Sequence, residues 1–190
     1  AVNFGIVYGR EAYSLSREFN IPIAEAQRWI DDWLGLYSGA AAFIDWWRRA
    51  PAENRTLLTV FGRKKRPGLV SRDTLRNLQN EFANFPHQST ASDIMLETAV
   101  EVHPVLVNKW DAWIWNELYD AIYYEMDDDE EKVSASIKYV QDVITRVPRD
   151  RGLLRIPFLG DAKRGYTWGT MKDHDPSKTH LELLGERPRP

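Results

Sequence analysis

Apolar positions recur at helical spacing over the first quarter of the chain. Tyr13, Leu15 and Phe19 mark a short helix over residues 11–20, which Asn20 and Pro22 end. Ala26, Trp29, Ile30, Trp33 and Leu34 define a second helix over residues 24–37, stopped by Ser38-Gly39. A third covers about residues 40–50, up to Pro51. The pattern then changes. Thr56 to Phe61 is rich in β formers and runs into Gly62, which predicts a strand and a turn. Ser71 is placed to cap a helix reaching about Phe85. Pro86 predicts an interruption, with a further helix from there to about His103, because Pro sits well in a first helical turn.

Beyond His103 the period becomes two. Trp113, Trp115 and Glu117 alternate with Ile114 and Leu118, and residues 121–125 return after Tyr119-Asp120. This is the best hairpin in the chain, within residues 112–126. The acidic run Asp127 to Glu131 then opens a helix over about residues 129–146, where carboxylates suit the positive end of the helix dipole. Residues 153–159 and 162–168 read as strand material around Gly160-Asp161. From Asp173 the chain is polar and Pro-rich and reads as a tail. Helices followed by helices with a small antiparallel sheet make an α+β fold.

Composition narrows the classes. The 190 residues fit one domain, or one domain plus part of another, and 43% hydrophobic residues are enough to bury a core. With no Cys there is neither a disulfide framework nor a thiolate metal site, which fits a reducing cytosol. No apolar run approaches the length of a membrane span, so no membrane partner is expected. A net charge of −3 does not advertise nucleic-acid binding, but the charge is segregated: Arg63, Lys64, Lys65, Arg66, Arg72 and Arg76 form a basic stretch. The Trp pairs, Trp29/Trp33 and Trp46/Trp47, read as core or contact surface. Trp46 and Trp47 are hard to bury together on one helix. The four His residues lack a second ligand at zinc spacing.

Four blocks carry a resemblance. Asn3-Phe4-Gly5-Ile6-Val7-Tyr8-Gly9 resembles the last turns of the nucleotide-binding helix of family A DNA polymerases. Thr59-Val60-Phe61-Gly62-Arg63-Lys64-Lys65-Arg66 is similar to that family's T-x-F-G-R-R-R. Asn84-Phe85-Pro86-His87-Gln88-Ser89-Thr90-Ala91-Ser92-Asp93-Ile94 resembles its N-x-P-x-Q-(G/S)-T-A-x-D-I, the longest and most specific match. Leu118-Tyr119-Asp120-Ala121-Ile122 looks like its hairpin V-H-D-E. The blocks follow the family order and together cover roughly residues 1–172. Taken singly, the first is also what a Gly-capped apolar helix end looks like, and the last is also an Asp chosen for turn chemistry.

The resemblance implies end-of-fingers structure over residues 1–55, the second half of the palm over residues 56–172, and a polar tail over residues 173–190. It implies that Phe4 and Tyr8 stack by the incoming nucleotide and the templating base, with Gly9 allowing the backbone to bend. Asn84 and Gln88 amides would read minor-groove acceptors common to all base pairs. Arg63, Lys64 and Lys65 would contact phosphates, with Tyr119 also against DNA. Asp120 would be the catalytic carboxylate and a ligand to Mg²⁺, shared by two ions with a carboxylate outside this chain. Partners would be primer-template DNA, deoxynucleoside triphosphates and an N-terminal polymerase polypeptide carrying the other Asp and the Arg and Lys for the triphosphate. The chain is accordingly expected to be half of a split or fragmentary polymerase, inactive alone, in a bacterial host or virus-infected cell.

Three departures stand out. Asn80 replaces an Arg, Tyr119 a His and Ala121 a Glu, a pattern closer to phage than to bacterial relatives. They leave open a non-catalytic, degenerate polymerase half that binds DNA or serves assembly. A phage-type RNA polymerase shares the palm, but the Asn84/Gln88 block favours DNA synthesis.

Overall fold

The computed structural model describes residues 2–185 and, within them, every side chain but that of Phe4; Ala1 and residues 186–190 lie outside. Residues 1–90 and 91–190 form two compact units.

The first unit opens with helices α1 (Val2–Val7), α2 (Ala12–Phe19), α3 (Ile23–Leu36) and α4 (Ser38–Arg49). Asn20 ends α2 in the left-handed conformation, φ 52°, which its short polar side chain tolerates. A single residue, Tyr37, separates α3 from α4. Ala12, Leu15 and Ala26 bury one small cluster between α2 and α3, with Ile21 and Ile30 against it. A second cluster joins Trp47, Ala50, Leu57 and Phe82, with Phe85 on its edge. The Trp pair is thus split: Trp47 is core, while Trp46 lies outside under the Arg55 guanidinium, 5.1 Å from its ring centroid. The expected strand and turn is a minimal hairpin, β1 (Leu57–Leu58) against β2 (Lys64–Lys65).

Helix α5 (Arg72–Trp110) is where the structure corrects the sequence most. Thr74 N–H donates to the Ser71 hydroxyl at 3.2 Å, and Ser71 N–H donates to the Thr74 hydroxyl at 2.9 Å, so the expected cap forms. The expected interruption at Pro86 and the end near His103 do not. The helix runs through Pro86 and Pro104 without a break. Proline removes one backbone bond and costs about 3 kcal/mol inside a helix. Here Phe82 and Ala83 before it, Pro86 itself, and Ser89, Asp93 and Ile94 after it are all buried, so packing overrides that cost.

In the second unit, Ile94, Met95, Val102, Leu106 and Trp110 of α5 are buried, as are Ile137, Val140, Val143 and Val147 of α6 (Glu130–Asp150). Arg146 pairs with Glu101, and Arg151 with Glu97. Strands β3 (Trp113–Leu118) and β4 (Ala121–Glu125) make the expected hairpin, with an irregularity at Trp115. The Trp168 indole stacks on Tyr123, ring centroids 4.5 Å apart, and meets Trp115 edge-on.

The expected strand over residues 153–159 is absent: those residues have no ladder partner, and Leu154, Ile156 and Leu159 are exposed. Alternating apolar residues do not hold a strand without a neighbour to bond. Residues 162–168 contribute only β5 (Lys163–Arg164), paired with β6 (Lys172–Asp173). Gly165 is required there, because a Cβ would lie 2.8 Å from the Met171 backbone.

Within residues 173–185 the chain forms one short helix. Thr179 and Glu182 cap helix α7 (His180–Leu184) reciprocally. The acidic run anchors it. Asp129 caps α6 by accepting from Lys132 N–H at 3.1 Å, while Glu130 accepts from Arg164 at 2.6 Å and from His180 N–H at 2.5 Å. The His180 ring sits 2.5 Å from Asp128.

Burial alone would push the Glu130 carboxyl up. The Arg164 hydrogen bond, the His180 N–H and the charges of both side chains outweigh it and hold the group below the usual carboxylate range. A depressed carboxylate contributes stability that is complete above its unfolded value and is lost as pH falls through the folded one. Acidification below the ordinary carboxylate range is therefore expected to release α7. Glu130→Gln should flatten that part of the melting temperature against pH; a profile unchanged by the substitution would contradict this role.

Candidate functional site

In the first unit the candidate residues gather at a helix end. Arg10 N–H donates to Gly5 O at 2.8 Å and Gly9 N–H to Ile6 O at 3.0 Å, the paired bonds of a Schellman cap closing α1. Gly9 holds φ 80°, and a Cβ on it would fall 2.6 Å from Arg48 Nη2 and 3.1 Å from Asn80 Oδ1. Glycine is needed there for its backbone, and its bare α-carbon lets the Arg48 guanidinium pack close. Tyr8 is half-buried beside it. Phe4 lies on α1, and its side chain is outside the described part.

Helix α5 comes up to this end with Asn80, Asn84 and His87, which share a face at spacings of four and three. Asn84 Nδ2 donates to the Tyr8 carbonyl at 3.3 Å, so the amide ties α5 to the turn. Its Oδ1 is buried without a partner. The His87 ring meets Tyr8 edge-on at 6.1 Å and Phe43 at 6.3 Å. Burial lowers the His87 pKa against an opposing hydrogen bond with the Ala83 backbone, which favours the neutral ring. Gln88, one residue on, is exposed and makes no hydrogen bond among the described residues.

The basic loop divides. Thr59 N–H donates to Arg63 O at 3.0 Å and Arg63 N–H to Thr59 Oγ1 at 3.1 Å, shaping the turn, and Arg63 and Lys64 are exposed. Lys65 turns inward: it pairs with Glu81, and its ammonium lies 5.2 Å from the Phe85 ring centroid. Its side chain is only 17% exposed, so α5 claims part of its charge.

In the second unit, Leu118 pairs with Ala121, leaving Tyr119-Asp120 as a two-residue turn. Tyr119 takes φ 57° and is 88% exposed. An aromatic residue in the left-handed region is an outlier, because its Cβ crowds the following carbonyl. Asp120 is exposed at the tip and has no hydrogen bond or ion pair among the described residues. A free carboxylate suits Mg²⁺, which takes one or two such ligands and keeps waters and phosphate oxygens for the rest. Among the described residues no three acidic, His or Cys side chains converge into a metal site.

Tyr8, Gly9, Asn80 and Asn84 are thus brought together, Gln88 stands just along the same helix, and Tyr119 and Asp120 occupy one turn of the second unit. Sequence reasoning missed Arg48 and His87. For Arg48 the signal was present: Ile44, Trp47 and Arg48 fall on one side of α4, so a cation sits on the edge of an apolar face.

The profile of DNA polymerase family A matches residues 1–170. DNA polymerase I of Deinococcus radiodurans is 30% identical over 171 residues, 88% of this chain and 17% of that protein. The thermostable DNA polymerase I of Thermus filiformis is 32% identical over 148 residues, 74% of this chain and 17% of its own length. The chain therefore spans under a fifth of these relatives. The solved POL domain of Pol1 from M. smegmatis, in complex with DNA primer-template and dNTP, superposes with a TM-score of 0.67 at 18% identity. That match covers 76% of this chain and 26% of the solved one, and at such identity it speaks for the fold alone. With a family profile running over nearly its whole length, the chain belongs to DNA polymerase family A.

Proposed function

We propose that the chain is the C-terminal portion of a template-directed DNA polymerase, adding deoxynucleotides to a primer 3′ end once an N-terminal portion completes the site. The observation that carries this is the Asn84–Ile94 block on α5, with Asn84 bonded to the Tyr8 carbonyl at a Gly-capped helix end. In functional terms residues 1–55 close the fingers, residues 56–172 form the second half of the palm, and residues 173–190 follow as a C-terminal segment.

Each residue has a task. Phe4 and Tyr8 offer rings to the nucleotide and the templating base, and Gly9 bends the backbone between them and α5. Gln88, exposed and unbonded, presents its amide to minor-groove acceptors. Asn84 spends one donor on Tyr8 and keeps the other donor and its oxygen. Arg63 and Lys64 face solvent and suit phosphates, with Lys65 contributing from behind and Tyr119 flanking the DNA. Asp120 supplies carboxylate oxygens for Mg²⁺. Bound there, the metal supplies neutralisation of charge at the attacking and leaving oxygens of phosphoryl transfer. The second carboxylate and the Arg and Lys for the triphosphate come from the N-terminal portion. The departures at Asn80, Tyr119 and Ala121 from the bacterial pattern support a phage-type enzyme. The same three departures also favour a second reading, a degenerate half that binds DNA or serves assembly without catalysis.

Minor-groove acceptors are shared by all base pairs, so Gln88→Ala should weaken primer-template binding about equally on every sequence. A loss of several-fold is expected, since a hydrogen bond contributes roughly 0.5–1.5 kcal/mol net. Fluorescence anisotropy on several duplexes measures it. A loss confined to one sequence, or none, would count against the assignment.

A further inference from the structure

Beside Gly9 lies a cation with no counterion among the described residues. Arg48 is half-buried on α4, its Nε is buried without a partner, and no ion pair to it is found among the described residues. The neighbouring Asp45 pairs instead with Arg49. The one hydrogen bond of the Arg48 guanidinium is from Nη2 to Asn80 Oδ1, at a long 3.5 Å. A partly desolvated guanidinium held by a single neutral amide is costly unless an anion completes it. Its planar fork matches phosphate oxygens, and it packs directly against the bare α-carbon of Gly9, where a Cβ would fall 2.6 Å from Nη2, so the guanidinium is seated at the capped helix end. Asn84 Oδ1 and His87 Nε2, on the same side of α5 as Asn80, are buried and unpartnered too. The polar cluster is therefore half-satisfied and waits for a ligand rather than closing on itself.

We infer that Arg48 binds a backbone phosphate of the primer-template, with Asn80 positioning its guanidinium. This rests on the polymerase reading and deepens it: the chain replaces the arginine absent at Asn80 by one reaching over from α4. Gly9 stands beside the same guanidinium, so the phosphate it holds belongs to the strand passing the end of α1.

The test is the salt dependence of primer-template binding by the full chain. Each phosphate contact contributes about 0.9 to the slope of log affinity against log salt on duplex DNA. Arg48→Met keeps the apolar stem and should lower the slope by about one, and adding Asn80→Arg should restore it. A folded Arg48→Met protein, judged by circular dichroism, that keeps the wild-type slope would overturn the inference while leaving the polymerase reading intact. Failure of the wild-type chain to bind primer-template both alone and with its N-terminal portion would instead sink that reading and the inference with it. A readout independent of mutant folding is phenylglyoxal modification of wild-type Arg48, read by peptide mass. Duplex DNA should protect this residue; equal modification with and without DNA would also overturn the assignment.

Discussion

Asp120→Asn, introduced into the polymerase completed by its N-terminal portion, is expected to lower primer extension on the order of a thousandfold. The reason is local. Asp120 stands at the tip of a two-residue turn, exposed and unpaired among the described residues, so its carboxylate does nothing for the fold that an amide would not do. An amide keeps the shape and loses the charge. A metal at a phosphoryl-transfer site contributes several kcal/mol of charge stabilisation in the transition state, and each 1.4 kcal/mol is about tenfold in rate. Primer-template affinity should stay close to wild type, because the contacts argued for binding lie at Arg48, Arg63, Lys64, Asn84 and Gln88. Quenched-flow extension with binding measured in parallel separates the two. A variant that extends at a near-normal rate would remove Asp120 from the metal and favour the non-catalytic reading.

Phe82→Ala is expected to cost about 3–5 kcal/mol of stability, the usual range for emptying a buried aromatic site. Phe82 is 0% exposed and packs with Trp47, Ala50 and Leu57, the cluster holding α5, α4 and β1 together. The Lys65 ammonium lies 5.5 Å from its ring centroid, so the basic loop would loosen as well. The functional consequence follows from place. Arg48 is one residue beyond Trp47, and Asn80 and Asn84 lie two residues on either side of Phe82. A cavity at Phe82 would spoil the approach of α4 to α5 on which the Arg48–Asn80 contact depends. For a chain of this size the loss corresponds to a fall of roughly 10 °C in melting temperature. Thermal unfolding measures it, and a fall of a degree or two would mean that the cluster is not the core of this unit.

The local structure of the blocks that carry the family resemblance was more legible in the sequence than some of the architecture around them. The Tyr119-Asp120 turn could be read because alternation on both sides leaves only two residues for the reversal, and side-chain period fixes register. The Gly9 cap could be read because an apolar helix end followed by Gly has few other solutions. Pro86 misled because local chemistry says break, while the burial of Phe82, Ala83 and Ile94 is a tertiary fact that overrides it. Residues 153–159 misled for the opposite reason: their pattern suits a strand, and strand formation needs a partner that the pattern does not name. The anchoring of α7 by Asp128 and Glu130 joins charges some fifty residues apart, which no window of periodicity reaches. Arg48 is the instructive miss. It looks like one more surface cation at the end of an amphipathic helix. Only the fold reveals that its guanidinium reaches Asn80, beside the glycine that caps α1.

Single-nucleotide primer extension in Mg²⁺, by the chain alone and together with a polypeptide supplying the N-terminal part of the domain, decides whether this is one portion of a polymerase. No incorporation alone and templated incorporation on mixing is the expected result. Incorporation by the chain alone, or none from a stable assembled pair, would contradict it.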